Sequence, residues 1–201
     1  MTEIEALVQR SVAPATAPAP SFEPALTAAG ASANAAVFPS VAPPADIAPA
    51  PATAPDAAAG SRALAYAQAE VGQREEPPGS NDGPRLALYR SAVAGASPGE
   101  PWCAYFVSWA AQRAGVPLGV DGTGLGSVAQ ITDWAQCTGR LLPPGAQPQP
   151  GDLILFGDRH VGLVESVAPD GSLTTVEGNY AQAVSRVQRS PSEATGFVRL
   201  G

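Results

Sequence analysis

The chain has 201 residues and a formal net charge of −7, with eleven arginines and no lysine. Without a basic stripe it has no electrostatic footprint for nucleic acid, and no apolar run is long enough to span a membrane. The composition also divides the chain: residues 11–60 hold 20 Ala and 10 Pro, while every Trp, Tyr and Cys and the single His lie in residues 61–201.

The first segment, residues 1–60, reads as a disordered Ala/Pro-rich tether with a short helix at its start. Thr2 and Glu5 have capping-box spacing, and Ile4, Leu7, Val8 and Val12 fall on one helical face. Beyond Val12, proline every few residues breaks any helix, and too little large apolar surface is present to offset chain entropy. The terminus Met1-Thr2-Glu3-Ile4-Glu5 is acidic and lacks the basic region and apolar core of a secretory signal.

Residues 61–201 read as one globular domain, since about 140 residues can bury a core without disulfides or metals. Ser61 is the expected N-cap of a first helix along Leu64, Ala67 and Val71, ended by Gly72. Residues 73–83 form a loop. Pro84 suits the first turn of a second helix with Leu86, Tyr89 and Val93 inward. A third helix is expected from about Trp102 to Ala114, and a fourth from the Ser127 cap to near Gly139. From Pro150-Gly151 onward the pattern is of short strands: Asp152–Phe156, Arg159–Ser166, Ser172–Asn179, Ala183–Gln188 and Thr195–Leu200. Helices first and antiparallel strands second define an α+β domain.

Cys103 opens the third helix, in Pro101-Trp102-Cys103-Ala104-Tyr105-Phe106-Val107. The unpaired N–H groups of a helix start favour negative charge, and the thiolate is the nucleophilic form of cysteine. His160 lies in the strand Arg159-His160-Val161-Gly162-Leu163, opposite in face to Val161 and Leu163. A thiol nucleophile needs a base, and histidine is the usual one. Glu177 and Asn179 follow two apart in Thr175-Val176-Glu177-Gly178-Asn179. Either a carboxylate or an amide can hold an imidazole in one tautomer and orientation.

These motifs, in this order, resemble the CHAP domain, the cysteine, histidine-dependent amidohydrolase/peptidase family. The resemblance rests on Trp102-Cys103-Ala104-x-Phe106-Val107, Pro150-Gly151-Asp152-Leu153-Ile154, His160-Val161-Gly162 and Glu177-Gly178-Asn179, with Gly79-Ser80-Asn81 and Gly196-Phe197-Val198-Arg199 at the two ends. It implies a papain-like fold with the cysteine at a helix start against an antiparallel sheet. It implies Cys103 as nucleophile, His160 as general base, Glu177 as the group orienting His160, and Asn179 assisting nearby. It implies peptidoglycan as substrate, cut either between sugar and stem peptide or within the peptide, with no cofactor. Trp102 and Asn81 are the candidates for lining the substrate groove.

Two other readings stay open on the sequence: a non-catalytic wall-binding or scaffold module, and a thiol acyl-transfer enzyme with a non-wall substrate. The amphipathic start, Ala/Pro linker and wall-hydrolase-like domain are also similar to the arrangement of some flagellum-associated wall hydrolases. That similarity implies an export or flagellar partner for the N-terminal segment. It also implies an extracytoplasmic place at the cell wall, reached without a classical signal peptide.

Other features carry less. Cys103 and Cys137 can form a disulfide or stay free, but a bridge between them would block the nucleophile. Cys137 is expected to be at least half-buried, as free cysteines usually are. One His and two separated Cys do not make a zinc site, the Glu75–Asp82 loop lacks EF-type ligand spacing, and Gly122–Gly126 lacks a phosphate-binding lysine.

Overall fold

The structure is a computed structural model that describes residues 57–201. The expected N-terminal helix and nearly all of the Ala/Pro tether lie outside the described residues. Helix α1 spans Ala57–Ala69, α2 Pro84–Arg90, α3 Cys103–Arg113 and α4 Val128–Cys137. Strands follow as β1 Leu141–Leu142, β2 Leu153–Phe156, β3 His160–Val167, β4 Leu173–Tyr180, β5 Ala183–Arg189 and β6 Gly196–Val198. They form one antiparallel sheet in the order β1-β6-β2-β3-β4-β5. This is the α+β arrangement expected from the sequence.

Several features differ from expectation: α1 ends at Ala69, before Val71, and α2 ends at Arg90, before Val93. Helix α1 begins before Ser61, because Ala57-Ala58-Ala59 are the strongest helix formers available and Ala59 is buried. Ser61 is therefore an exposed residue inside the helix and not its cap. Strand β1 was not foreseen, since two residues are too few to show an alternation. It exists through its pairing with β6, Leu141 opposite Val198 and Leu142 opposite Phe197. Ser127 does cap α4, in a reciprocal capping box with Gln130.

Helix α3 is the centre of the domain. Every residue from Cys103 to Ala111 is buried, the signature of a helix enclosed on all sides. It packs on β3 and β4 on one side and on α1 and α2 on the other. Its polar residue Ser108 is satisfied by Leu125, donating to the carbonyl at 2.8 Å and accepting from the N–H at 3.1 Å. That pair fastens the Gly-rich loop before α4 to the helix. The sheet alternates as the period-2 rule requires. Leu153, Leu155, Val161, Leu163 and Val176 join the main core with the helices. Ile154, Val164, Leu173 and Phe197 join a smaller cluster capped by Ala194.

Helix and sheet come close at Gly178 on β4. A Cβ there would stand 2.6 Å from Cβ of Phe106, itself fully buried on α3. The glycine lets α3 sit against the strand that carries Glu177. Substituting Gly178→Ala is expected to destabilise the domain by about 1–3 kcal/mol. A lower urea midpoint with an unchanged slope would report it; an unchanged midpoint would show that α3 has room to shift.

Candidate active site

The first residue of α3 is Cys103, preceded by Trp102 as a cap residue whose side chain makes no capping hydrogen bond. The first-turn N–H groups therefore remain available beside the sulfur. The Cys103 residue is 5 % exposed and lines a cavity of about 310 Å³ with Tyr105, Gly126 and Val128. The tied-down Gly-rich loop supplies the far wall.

The histidine and its carboxylate come from the sheet. His160 opens β3, and its Nε2 lies 2.8 Å from Oε2 of Glu177 on β4. Gly162 makes this pairing possible: a Cβ at that position would stand 2.6 Å from Cγ of Glu177. The glycine of His160-Val161-Gly162 thus leaves space for the glutamate chain to reach the ring.

Glu177 is wholly buried, a costly place for a charge unless it is paired and hydrogen-bonded. It is fully supplied. Arg189 on β5 donates from Nε to Oε1 at 2.8 Å and from Nη2 to Oε2 at 2.7 Å. Thr175 Oγ1 donates to Oε1 at 2.6 Å. Burial pushes the carboxyl pKa up, but the bonds from Arg189, His160 and Thr175 outweigh it and hold the pKa at about 2.

The same balance acts on the ring. Burial disfavours the imidazolium, yet hydrogen bonding with Cys103 and Glu177 more than offsets it, raising the His160 pKa to about 9. With Nε2 committed to Glu177, Nδ1 is the nitrogen left for the thiol. These bonds favour the protonated ring, whereas a free imidazole titrates near neutrality.

Arg189 did not emerge from the sequence. Its guanidinium also stacks over Phe156 at 4.5 Å and Tyr180 at 5.1 Å, and pairs with Glu193 at 3.1 Å. A signal existed: a carboxylate in a buried strand demands a cation, and β5 is the neighbouring strand. Register decides which of its arginines serves. Arg189 pairs with Leu173, on the same face as Glu177, while Arg186 pairs with Val176 on the opposite face and binds Glu165 instead.

The other expected residues are placed differently. Asn179 does not continue the strand alternation from Glu177. The β4–β5 register shifts there, and Asn179 takes a left-handed φ of 60°. It lines a second cavity, of about 540 Å³, with His160, Phe156 and Tyr180, and its amide bonds to no described residue. Trp102, expected along the groove, is instead fully buried. Its ring stacks on Tyr89 at 5.7 Å, and its N–H donates to Oε1 of buried Glu75 at 3.0 Å. Asn81 lines neither cavity. Its N–H donates to Oε2 of the same Glu75 at 3.1 Å, so it joins the loop that braces Trp102. Cys137 is exposed, against expectation, because it ends α4 on the helix's outer side; both cysteines are free.

A helix-start cysteine packed against an antiparallel sheet bearing a histidine is a papain-like arrangement. Within it, residues 95–179 match the family model of the CHAP domain, and the resemblance carried by the motifs holds over that stretch. The match includes Cys103, His160, Glu177 and Asn179 and stops short of Arg189. No curated protein matches the chain. Among solved structures, an N-acetylmuramoyl-L-alanine amidase from Staphylococcus aureus is similar with a TM-score of 0.40 and 17% identity, covering 54% of this chain and 33% of that one. The chain therefore spans about a third of that protein's length.

The two shifted groups of the site each contribute to the pH dependence of stability. His160, raised from 6.5 to about 9, contributes stability that is complete below pH 6.5 and is lost as pH rises through 9. Glu177, depressed from 4.5 to about 2, contributes stability that is present above pH 4.5 and is lost as pH falls through 2. Unfolding free energy should thus decline on the alkaline side by on the order of a few kcal/mol. Urea titrations across pH 6 to 10 should show this slope in the wild type and a flatter one in His160→Gln; equal slopes would assign it elsewhere.

Proposed function

We propose that this chain is a cysteine-dependent hydrolase of amide bonds in peptidoglycan, an amidase or endopeptidase of the cell wall. The observation that carries the reading is the single imidazole whose Nε2 lies 2.8 Å from the buried Glu177 carboxylate and whose pKa is raised by both Cys103 and Glu177. The CHAP match over residues 95–179 supports a hydrolase of this family. In this reading the described domain is the catalytic unit, and the Ala/Pro-rich segment tethers it and engages an export or flagellar partner. The site of action is extracytoplasmic, at the wall.

The mechanism assigns each group one task. Cys103 thiolate attacks the carbonyl carbon of the scissile amide, and the carbonyl π pair moves to oxygen. Free N–H groups at the start of α3 receive that oxyanion. As the intermediate collapses, the C–N bond breaks and His160 gives its proton to the departing amine, leaving a thioester. His160, now neutral, takes a proton from water; the resulting attack expels Cys103 and releases a carboxylic acid. Glu177 keeps Nε2 protonated throughout, so the same nitrogen, Nδ1, acts as acid and then as base. Arg189 is a positioning residue: it keeps Glu177 ionised and aimed without touching the substrate.

Purified sacculi treated with wild type should release soluble fragments, whose ends in a mass spectrum name the bond. Cys103→Ala, folded, should release them more slowly by a factor of about 10³ or more. Release by neither protein would favour a binding module or a different acyl substrate. The positioning role has its own test. In Arg189→Met the buried Glu177 loses two of its four bonds, so its pKa rises and the acid limb of kcat/KM should move up by about a pH unit or more. Arg189→Lys should restore part of that shift. An Arg189→Met enzyme slowed equally at every pH would leave Arg189 a structural role only.

A further inference from the structure

One cavity is lined by Cys103 and another by His160, and Arg159 is common to both. Resting on the function proposed above, the chemistry assigns a half of the substrate to each. The sulfur bonds the acyl carbon, so the smaller cavity receives the acyl side. The imidazole protonates the amine, so the larger cavity receives the leaving side.

Arg159 lines both cavities. It is exposed, lies next to His160 in the β2–β3 turn, and its guanidinium forms no hydrogen bond or ion pair with any described residue. Asp158 beside it, Glu100 on the smaller cavity and Glu193 on the larger are all left to other partners or to solvent. The other arginine of these walls, Arg189, is already neutralised by Glu177 and Glu193. Arg159 is thus the uncompensated guanidinium of the cleft among the described residues, in a chain whose net charge is −7. Asn179 lines the same larger cavity, and its amide has no partner among the described residues either. A planar fork of N–H donors, with an amide donor in the same cavity, suits a carboxylate, which accepts two parallel bonds.

We propose that Arg159, with Asn179, forms a carboxylate-recognition subsite on the leaving-group side, so that preferred substrates carry a free carboxylate close to the departing amine. A stem peptide whose carboxyl groups are free fits this subsite; one whose carboxyl groups are amidated does not.

Binding tests this without turnover. The Cys103→Ala protein is titrated calorimetrically with a muramoyl tetrapeptide bearing free carboxyl groups, and with the same compound fully amidated. The free acid should bind at least about tenfold more tightly, as a charge-assisted pair predicts. Adding Arg159→Gln should erase that preference while leaving affinity for the amidated form within about twofold. Equal affinity for the two compounds, a preference that survives Arg159→Gln, or binding of neither would overturn the proposal. Sacculus digestion is a separate readout: if it fails while the Arg159-dependent preference stands, the hydrolase reading falls and the subsite remains.

Discussion

A carboxylate with no exposed surface has to be surrounded by donors or it will not stay charged, and Glu177 is such a group. Its two oxygens accept from His160, from Nε and Nη2 of Arg189 and from Thr175. These partners come from three consecutive strands, so the sheet must be in register for the charge to be tolerated. The glutamate makes the same demand on small residues. Gly162 leaves room for its side chain, and Gly178 lets α3 close over the strand. The position of the sulfur relative to the ring then follows from packing, because Cys103 begins the helix that Gly178 admits.

Much of this was legible before any coordinates. The change from a 3.6-residue to a two-residue apolar period marks where helices give way to strands. The placing of Cys103 at a helix start and His160 at a strand start depends only on such local signals. Glu177 was singled out by its place two residues before Asn179, in the strand after that of His160, and by the resemblance of Glu177-Gly178-Asn179 to the family motif. What escaped was set by long-range pairing. Arg189 and Arg186 look alike along β5, and only the register against β4 separates them. Strand β1 is two residues long and is defined by its neighbour alone.

The misplacements have a common cause as well. An indole beside a cysteine reads the same whether it faces a groove or the core. Trp102 is settled by a buried acceptor, Glu75, 27 positions earlier in the chain. Asn179 was expected to share a face with Glu177 because residues two apart do so in a regular strand. A left-handed residue at the β4–β5 turn cancels that rule, and sequence patterning does not reveal where a strand stops being regular.

The chain's two thiols sit in opposite surroundings: Cys103 is enclosed at the start of one helix, while Cys137 stands in solvent at the end of another. A bulky alkylating reagent will therefore reach Cys137 first, and the stoichiometry of labelling will say little about the reactive centre. Covalent probes, fluorophore attachment and oxidative damage will all be dominated by the outer sulfur until it is replaced. A chain with Cys137→Ser makes Cys103 the only thiol that such chemistry can report.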